Sequence, residues 1–177
     1  MRYTYKESIY ISSLPSLQEL ERQHSIAHVQ YWINVSGIDI HQIYPEPNLL
    51  AYTISQFDFA DVFTDGEKLT DFSKLEQFDI KQYKNVSELK HRNALLAAVK
   101  MLITQLENES STSIFCHRGL ARSPLVAASA LNYVHNETLA QSIARVHLIH
   151  PPAYFTDISI SALLWCKEQL RKPAYTE

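Results

Sequence analysis

A cysteine stands six residues ahead of an arginine in the run Ile114-Phe115-Cys116-His117-Arg118-Gly119-Leu120-Ala121-Arg122-Ser123-Pro124-Leu125-Val126. Apolar residues end a short strand, a turn follows, and a helix opens, with Ser123 placed to cap it and Pro124 at its first position. A turn that feeds a helix N-terminus aims backbone N–H groups at one point, and the helix dipole adds positive potential there. Such a point suits a tetrahedral dianion. Cys116 begins the turn, so its sulfur sits beneath the bound anion, where the same donors favour thiolate. Arg122 closes the turn, and its planar fork grips two anion oxygens in a way lysine does not. The chain has only three glycines, Gly37, Gly66 and Gly119. Gly119 in mid-turn therefore marks a residue with positive φ or a close backbone approach.

The rest of the chain places this turn in an α/β frame. Residues 7–14 and 27–36 carry the β-branched and aromatic content of strands, and residues 49–57 supply another. Residues 16–25 have a helical pattern. Asn85 followed by Glu88 resembles a capping box. From there Leu89, Leu95, Leu96, Val99, Leu102, Ile103 and Leu106 form a helical stripe to about Glu107. After the turn, Leu125, Leu131 and Val134 face inward. Thr138 with Gln141 signals a capped helix to about His147, and a last helix runs from about Asp157 to Arg171. Strands alternating with helices predict a mostly parallel central sheet flanked by helices in a single domain spanning 1–177. Between 58 and 86 the pattern dissolves into a long aromatic and acidic stretch, of the kind that is functional or mobile.

Composition narrows the function classes. A net charge of −3 and a pI of about 6.2 argue against a nucleic-acid binder. Two cysteines are too few for a disulfide framework and fit the reducing cytoplasm. The opening residues MRYTYKES lack the apolar stretch of a leader, and no apolar run approaches membrane-span length.

The run from Cys116 to Ser123 resembles the signature of the protein tyrosine and dual-specificity phosphatase superfamily, H-C-x5-R-S/T, and is most similar to its compact members, including bacterial ones. SIYISSLPSLQELERQHSIAHVQYWINVS resembles the family's opening strand, helix and second strand. Residues 94–166 resemble its long helix, signature loop and closing helices, while IARVHLIHPPAYF matches its basic-then-proline segment only loosely. The resemblance implies hydrolysis of phosphate monoesters through a cysteinyl-phosphate, without metal or cofactor. Cys116 would be the nucleophile, Arg122 the phosphate clamp and Ser123 the helper of the leaving sulfur. The amides of His117, Arg118, Gly119, Leu120, Ala121 and Arg122 would bind phosphate. Expected partners are a phosphorylated protein, phosphotyrosine foremost, or a small phosphomonoester such as a phosphoinositide, nucleotide or sugar phosphate. One departure stands out: Phe115 occupies the place of the family's histidine, which orders the loop and lowers the thiol pKa.

Ester cleavage also needs a proton for the leaving oxygen. By resemblance the acid is an aspartate just after the strand that precedes the long helix. Asp58 is first off that strand and Asp61 follows. Residues 59–86 read as an insertion or lid, so Asp65, Asp71 and Asp79 are further candidates. The aromatic residues Phe57, Phe59, Phe63, Phe72, Phe78 and Tyr83 form either a pocket wall or, more in keeping with burial trends, the core of that insertion. His117 and Arg118 project around the rim, where Arg118 attracts a second phosphate or is simply solvated. His135, His147 and His150 have weak metal-site spacing. Cys166 reads as a small core residue, with a disulfide to Cys116 as the alternative. A phospho-binding module without turnover, and a sulfur transferase, are the competing readings of the turn.

Overall fold

The computed structural model describes residues 9–173; the opening MRYTYKES and the first two residues of the expected strand 7–14 lie outside them. Four short strands, β1 (Ile9–Ser12), β2 (Tyr31–Asn34), β3 (Ile54–Gln56) and β4 (Thr112–Phe115), form one sheet in the order β1-β4-β2-β3. Every pairing is parallel, and Ile114 aligns with Ile11 on one side and Ile33 on the other. Among the described residues, seven helices connect and cover the strands: α1 (Leu17–Ser25), α2 (Glu46–Leu49), α3 (Ile80–Val86), α4 (Leu89–Glu107), α5 (Arg122–His135), α6 (Leu139–Ile149) and α7 (Asp157–Arg171). The expected α/β architecture with a parallel sheet is what forms.

Period-two alternation divides the core between two faces. Ile9, Ile11, Ile33 and Ile114 point into a large cluster with α3 to α7. Trp32 and Phe115 point the other way, into a smaller cluster with Leu20, Val29, Ile40 and Leu49. Helix α5 is buried continuously from Arg122 to Asn132. Its alanines, Ala127, Ala128 and Ala130, let neighbouring helices approach closely, as suits a helix buried in the core.

Several local expectations are corrected. Of the stretch 49–57 read as strand, Leu49 ends α2 and only Ile54–Gln56 form β3. The stretch 58–86 is not structureless, since it contains α3 and a short 3₁₀ turn at Leu75–Gln77. No capping box forms from Asn85 and Glu88. Asn85 lies inside α3, and Glu88 caps α4 without a side-chain hydrogen bond. Leu89, counted in the α4 stripe, is exposed. Ser123 does not cap α5: the helix begins at Arg122 with Ala121 at the cap, and Pro124 is its third residue. By contrast, Thr138 and Gln141 form the expected capping box of α6.

Candidate active site

The turn from Cys116 to Arg122 lies at the carboxyl end of β4, an inner strand of the sheet, flanked by the ends of β1 and β2. Open parallel sheets place ligands at this edge. The sheet extends into the turn, where Cys116 N donates to Ser12 O and Val35 N to Phe115 O. Gly119 adopts φ 69°, and a Cβ there would lie 2.7 Å from Ser13 N. The turn thus rests its outer side against β1, which only glycine permits.

Two further bonds hold the loop's carbonyls outward. His150 Nε2 donates to Gly119 O at 2.8 Å, and Tyr154 N donates to Leu120 O at 2.7 Å. None of the amides from His117 to Arg122 donates to another described residue. Unpaired amides at a helix start form an anion-binding concavity.

Cys116 is buried, and its Sγ lies 3.1 Å from Ser123 Oγ. Arg122 is buried as well. Its Nη1 donates to Ser36 O at 2.8 Å, while Nε has no hydrogen-bond partner among the described residues. The Ser36 carbonyl is itself held in place. Asn34 Oδ1 accepts from Ser36 N and Oγ, Asn34 Nδ2 donates to Ile38 O, and Gly37 turns at φ 75°. The guanidinium is therefore fixed along one edge and open along the other. Asp61 Oδ2 lies 4.0 Å from Arg122 Nε. A cavity of about 280 Å³ is lined by Asp61, Thr64, Cys116, His117, Arg118, Leu120, Ala121 and Arg122.

Solved structures share this fold. PTPMT1 superposes with a TM-score of 0.63 at 11% identity, covering 93% of this chain and 92% of its own. Tk-PTP in its active form gives 0.60 at 17%, covering 92% of each chain. Human DUSP28 gives 0.56 at 17%, covering 93% of this chain and 94% of its own. The chain has the protein tyrosine and dual-specificity phosphatase fold. No protein-family model matches the sequence, and no curated protein does.

Within this phosphatase fold the expected site residues separate. Cys116, Arg122 and Ser123 converge on the loop, with His117 and Arg118 exposed at its rim. Asp58 is not among the cavity-lining residues; its Oδ1 accepts from Gln56 Nε2 at 2.9 Å. Asp61 lines the cavity. Its Oδ1 accepts from Phe63 N and Thr64 N, so Oδ2 is the oxygen turned to Arg122. Asp65 and Asp71 are exposed, and Asp79 caps α3. Phe59, Phe63 and Tyr83 are buried in the main core, with Phe57, Phe72 and Phe78 packed against it, so the aromatics of 57–83 fasten that segment to the body.

The histidines spend their ring nitrogens on the backbone. His147 contacts Ala153 O and packs on Phe72 and Phe155, while His150 holds Gly119. Both cysteines are free and buried, and Cys166 lies in the core. Among the described residues no helix is long and apolar enough to cross a membrane.

Proposed function

We propose that this chain is a cysteine-dependent phosphatase that hydrolyses phosphate monoesters in two steps. The observation that carries it is the convergence of the Cys116 sulfur, the open edge of Arg122 and the Asp61 carboxyl on one amide-lined cavity. Cys116 Sγ attacks phosphorus in line. The bond from phosphorus to the ester oxygen breaks, and Asp61 gives that oxygen its proton. The loop amides and Arg122 hold the three equatorial oxygens as charge spreads over them. Water then attacks the cysteinyl-phosphate, Asp61 takes its proton, and sulfur departs as thiolate while the Ser123 hydroxyl donates to it. None of these steps calls on a metal or cofactor. Bound phosphate draws on Arg122, which frees the Asp61 carboxylate from its ion pair to take up the proton that it then gives to the leaving oxygen.

The leading substrate is protein phosphotyrosine, with phosphoserine and phosphothreonine as lesser candidates. A second reading, a small polar phosphate ester, is favoured by the cavity itself, because no phenylalanine, tyrosine or tryptophan is among its described lining residues. PTPMT1 was solved in complex with PI(5)P. The free cysteines support a reducing, cytoplasmic setting.

The test is hydrolysis of p-nitrophenyl phosphate by four proteins. Cys116→Ser falls to background. Asp61→Asn loses about 10²- to 10⁴-fold in kcat, while Asp58→Asn stays near wild type. Equal rates in wild type and Cys116→Ser would sink the cysteine mechanism. No turnover in either, with phosphopeptide binding kept, would make the chain a binding module. Comparing kcat/KM for a phosphotyrosine peptide and a soluble phosphoinositide then separates the two substrate readings.

A further inference from the structure

The segment that carries Asp61 is fastened at several points to the start of α7. Thr156 Oγ1 donates to Phe63 O at 2.6 Å, two residues beyond Asp61. Asp157 and Glu67 are joined twice: Asp157 N donates to Glu67 O at 3.1 Å, and Glu67 N donates to Asp157 Oδ1 at 2.9 Å. Asp157 Oδ2 accepts from Gln82 Nε2 at 2.6 Å, which ties in α3. Lys68 and Thr156 form an antiparallel bridge, and Leu69 N donates to Phe155 O at 3.0 Å. A Cβ on Gly66 would collide with Asp157 Oδ1 and lie 2.9 Å from Thr156 Oγ1. Beneath these bonds Phe63 is fully buried and stacks on Tyr83, which meets Trp165 of α7.

Nearer the acid, Ala60 N donates to His91 Nδ1 of α4 at 2.7 Å. Asp61 therefore sits on a short span, 60–63, pinned at both ends. Its reach to Arg122 is set from outside the cavity. Thr156 and Asp157 do not line that cavity, so they act only through the span.

We propose that Thr156 and Asp157 are positioning residues that hold Asp61 in its proton-donating place, so that the acid loop is preset rather than brought in by substrate. The proposal rests on Asp61 being the general acid. Asp157 suits the task because a carboxylate in the first turn of a helix is stabilised by the dipole. Its Oδ1 also accepts from Ile158 N. It is therefore oriented by its own helix before it grips Glu67.

A misplaced acid has a signature that general loosening lacks. Protonation matters most when the leaving group is poor, so the loss should grow from 2,4-dinitrophenyl phosphate to phenyl phosphate. Asp157→Ala should lower kcat on phenyl phosphate by about 10²-fold, the cost of an ångström-scale misplacement, and change the dinitrophenyl ester far less. Vanadate inhibition, which reports the Cys116–Arg122 loop, should stay at the wild-type value. Asp157→Asn keeps the Oδ1 acceptor and should recover most of the rate. Gly66→Ala presses on the same contact from the other side and should show the same leaving-group dependence, even if Asp157→Ala fails to fold.

An equal loss on both esters, or weaker vanadate binding in parallel, would overturn the proposal in favour of a structural role. Wild-type kinetics in Asp157→Ala and Gly66→Ala would overturn it too. Asp61→Asn is run alongside. If it shows no leaving-group dependence, Asp61 is not the acid, and the underlying reading falls rather than the staple alone.

Discussion

Phe115 is fully buried among Leu20, Val29, Trp32, Ile40 and Leu49, on the sheet face opposite the loop's own core. An imidazole at this position would enter an apolar pocket. Installing the family's residue by Phe115→His should therefore cost stability, about 1–3 kcal/mol for a buried polar group without a partner. At roughly 2–4 °C per kcal/mol for a chain of this length, differential scanning calorimetry should resolve the drop. A rise in Tm would show that a partner exists. The imidazole that does touch the loop is His150, which is 31 residues from Gly119 in sequence. The clustering of Cys116, Arg122 and Ser123 was legible because all three fall in one short motif whose local physics is complete. His150, and the Ser36 carbonyl that anchors Arg122, were not. They belong to distant loops, and nothing local marks a backbone-directed histidine or carbonyl. The proposed acid was legible only as one of several candidates. Asp58 and Asp61 have the same local chemistry, and what differs is their place: Asp61 lines the cavity and Asp58 does not.

At the level of elements, cap signals had mixed outcomes: Thr138–Gln141 forms its box, while Asn85–Glu88 and Ser123 do not cap. Ser16, Thr138 and Thr156 each accept from the N3 amide, and Thr138 pairs reciprocally with Gln141. Thr138→Ala removes one of these contacts at an exposed helix start. The expected cost is about 1 kcal/mol, seen as a lower urea midpoint with an unchanged slope. A changed slope would mean the substitution reaches beyond the cap. Helix α3 escaped sequence reading because it is only seven residues long and owes its existence to docking. Tyr83 N donates to Ser161 Oγ, Ser161 Oγ donates to Asp79 O, and the Tyr83 ring fills a slot beside Trp165. The acidic and aromatic composition that looked like loop is a surface for binding α7. Short helices are marginal without such tertiary support.

For the whole molecule, one buried group predicts how stability responds to alkali. Cys166 is fully buried beside Ser129, and burial pushes its thiol up to about 12. In the unfolded chain a thiol titrates near 8.5. As pH rises from about 8.5 towards 12, the unfolded state gives up a proton that the folded state keeps, so stability falls. Burial also raises the Tyr83 hydroxyl, which adds to the loss at the upper end. Urea midpoints at pH 7.5 and 9.5 should decline less in Cys166→Ala than in wild type. Identical declines would assign the alkaline loss elsewhere.

The strand order β1-β4-β2-β3 has a consequence for how the protein is made. The inner strand that pairs with both β1 and β2 is the last of the four to leave the ribosome. Until residues 112–115 emerge, β1 and β2 have no common partner, and the backbone edges they turn to β4 wait unpaired while α1 to α4 are already synthesised. Long-range parallel pairing is slow, and waiting edges invite association between nascent chains. The segment that completes the sheet leads directly into Cys116. Sheet closure and the shaping of the anion loop are thus one event, late in synthesis, and a chain halted before it has neither.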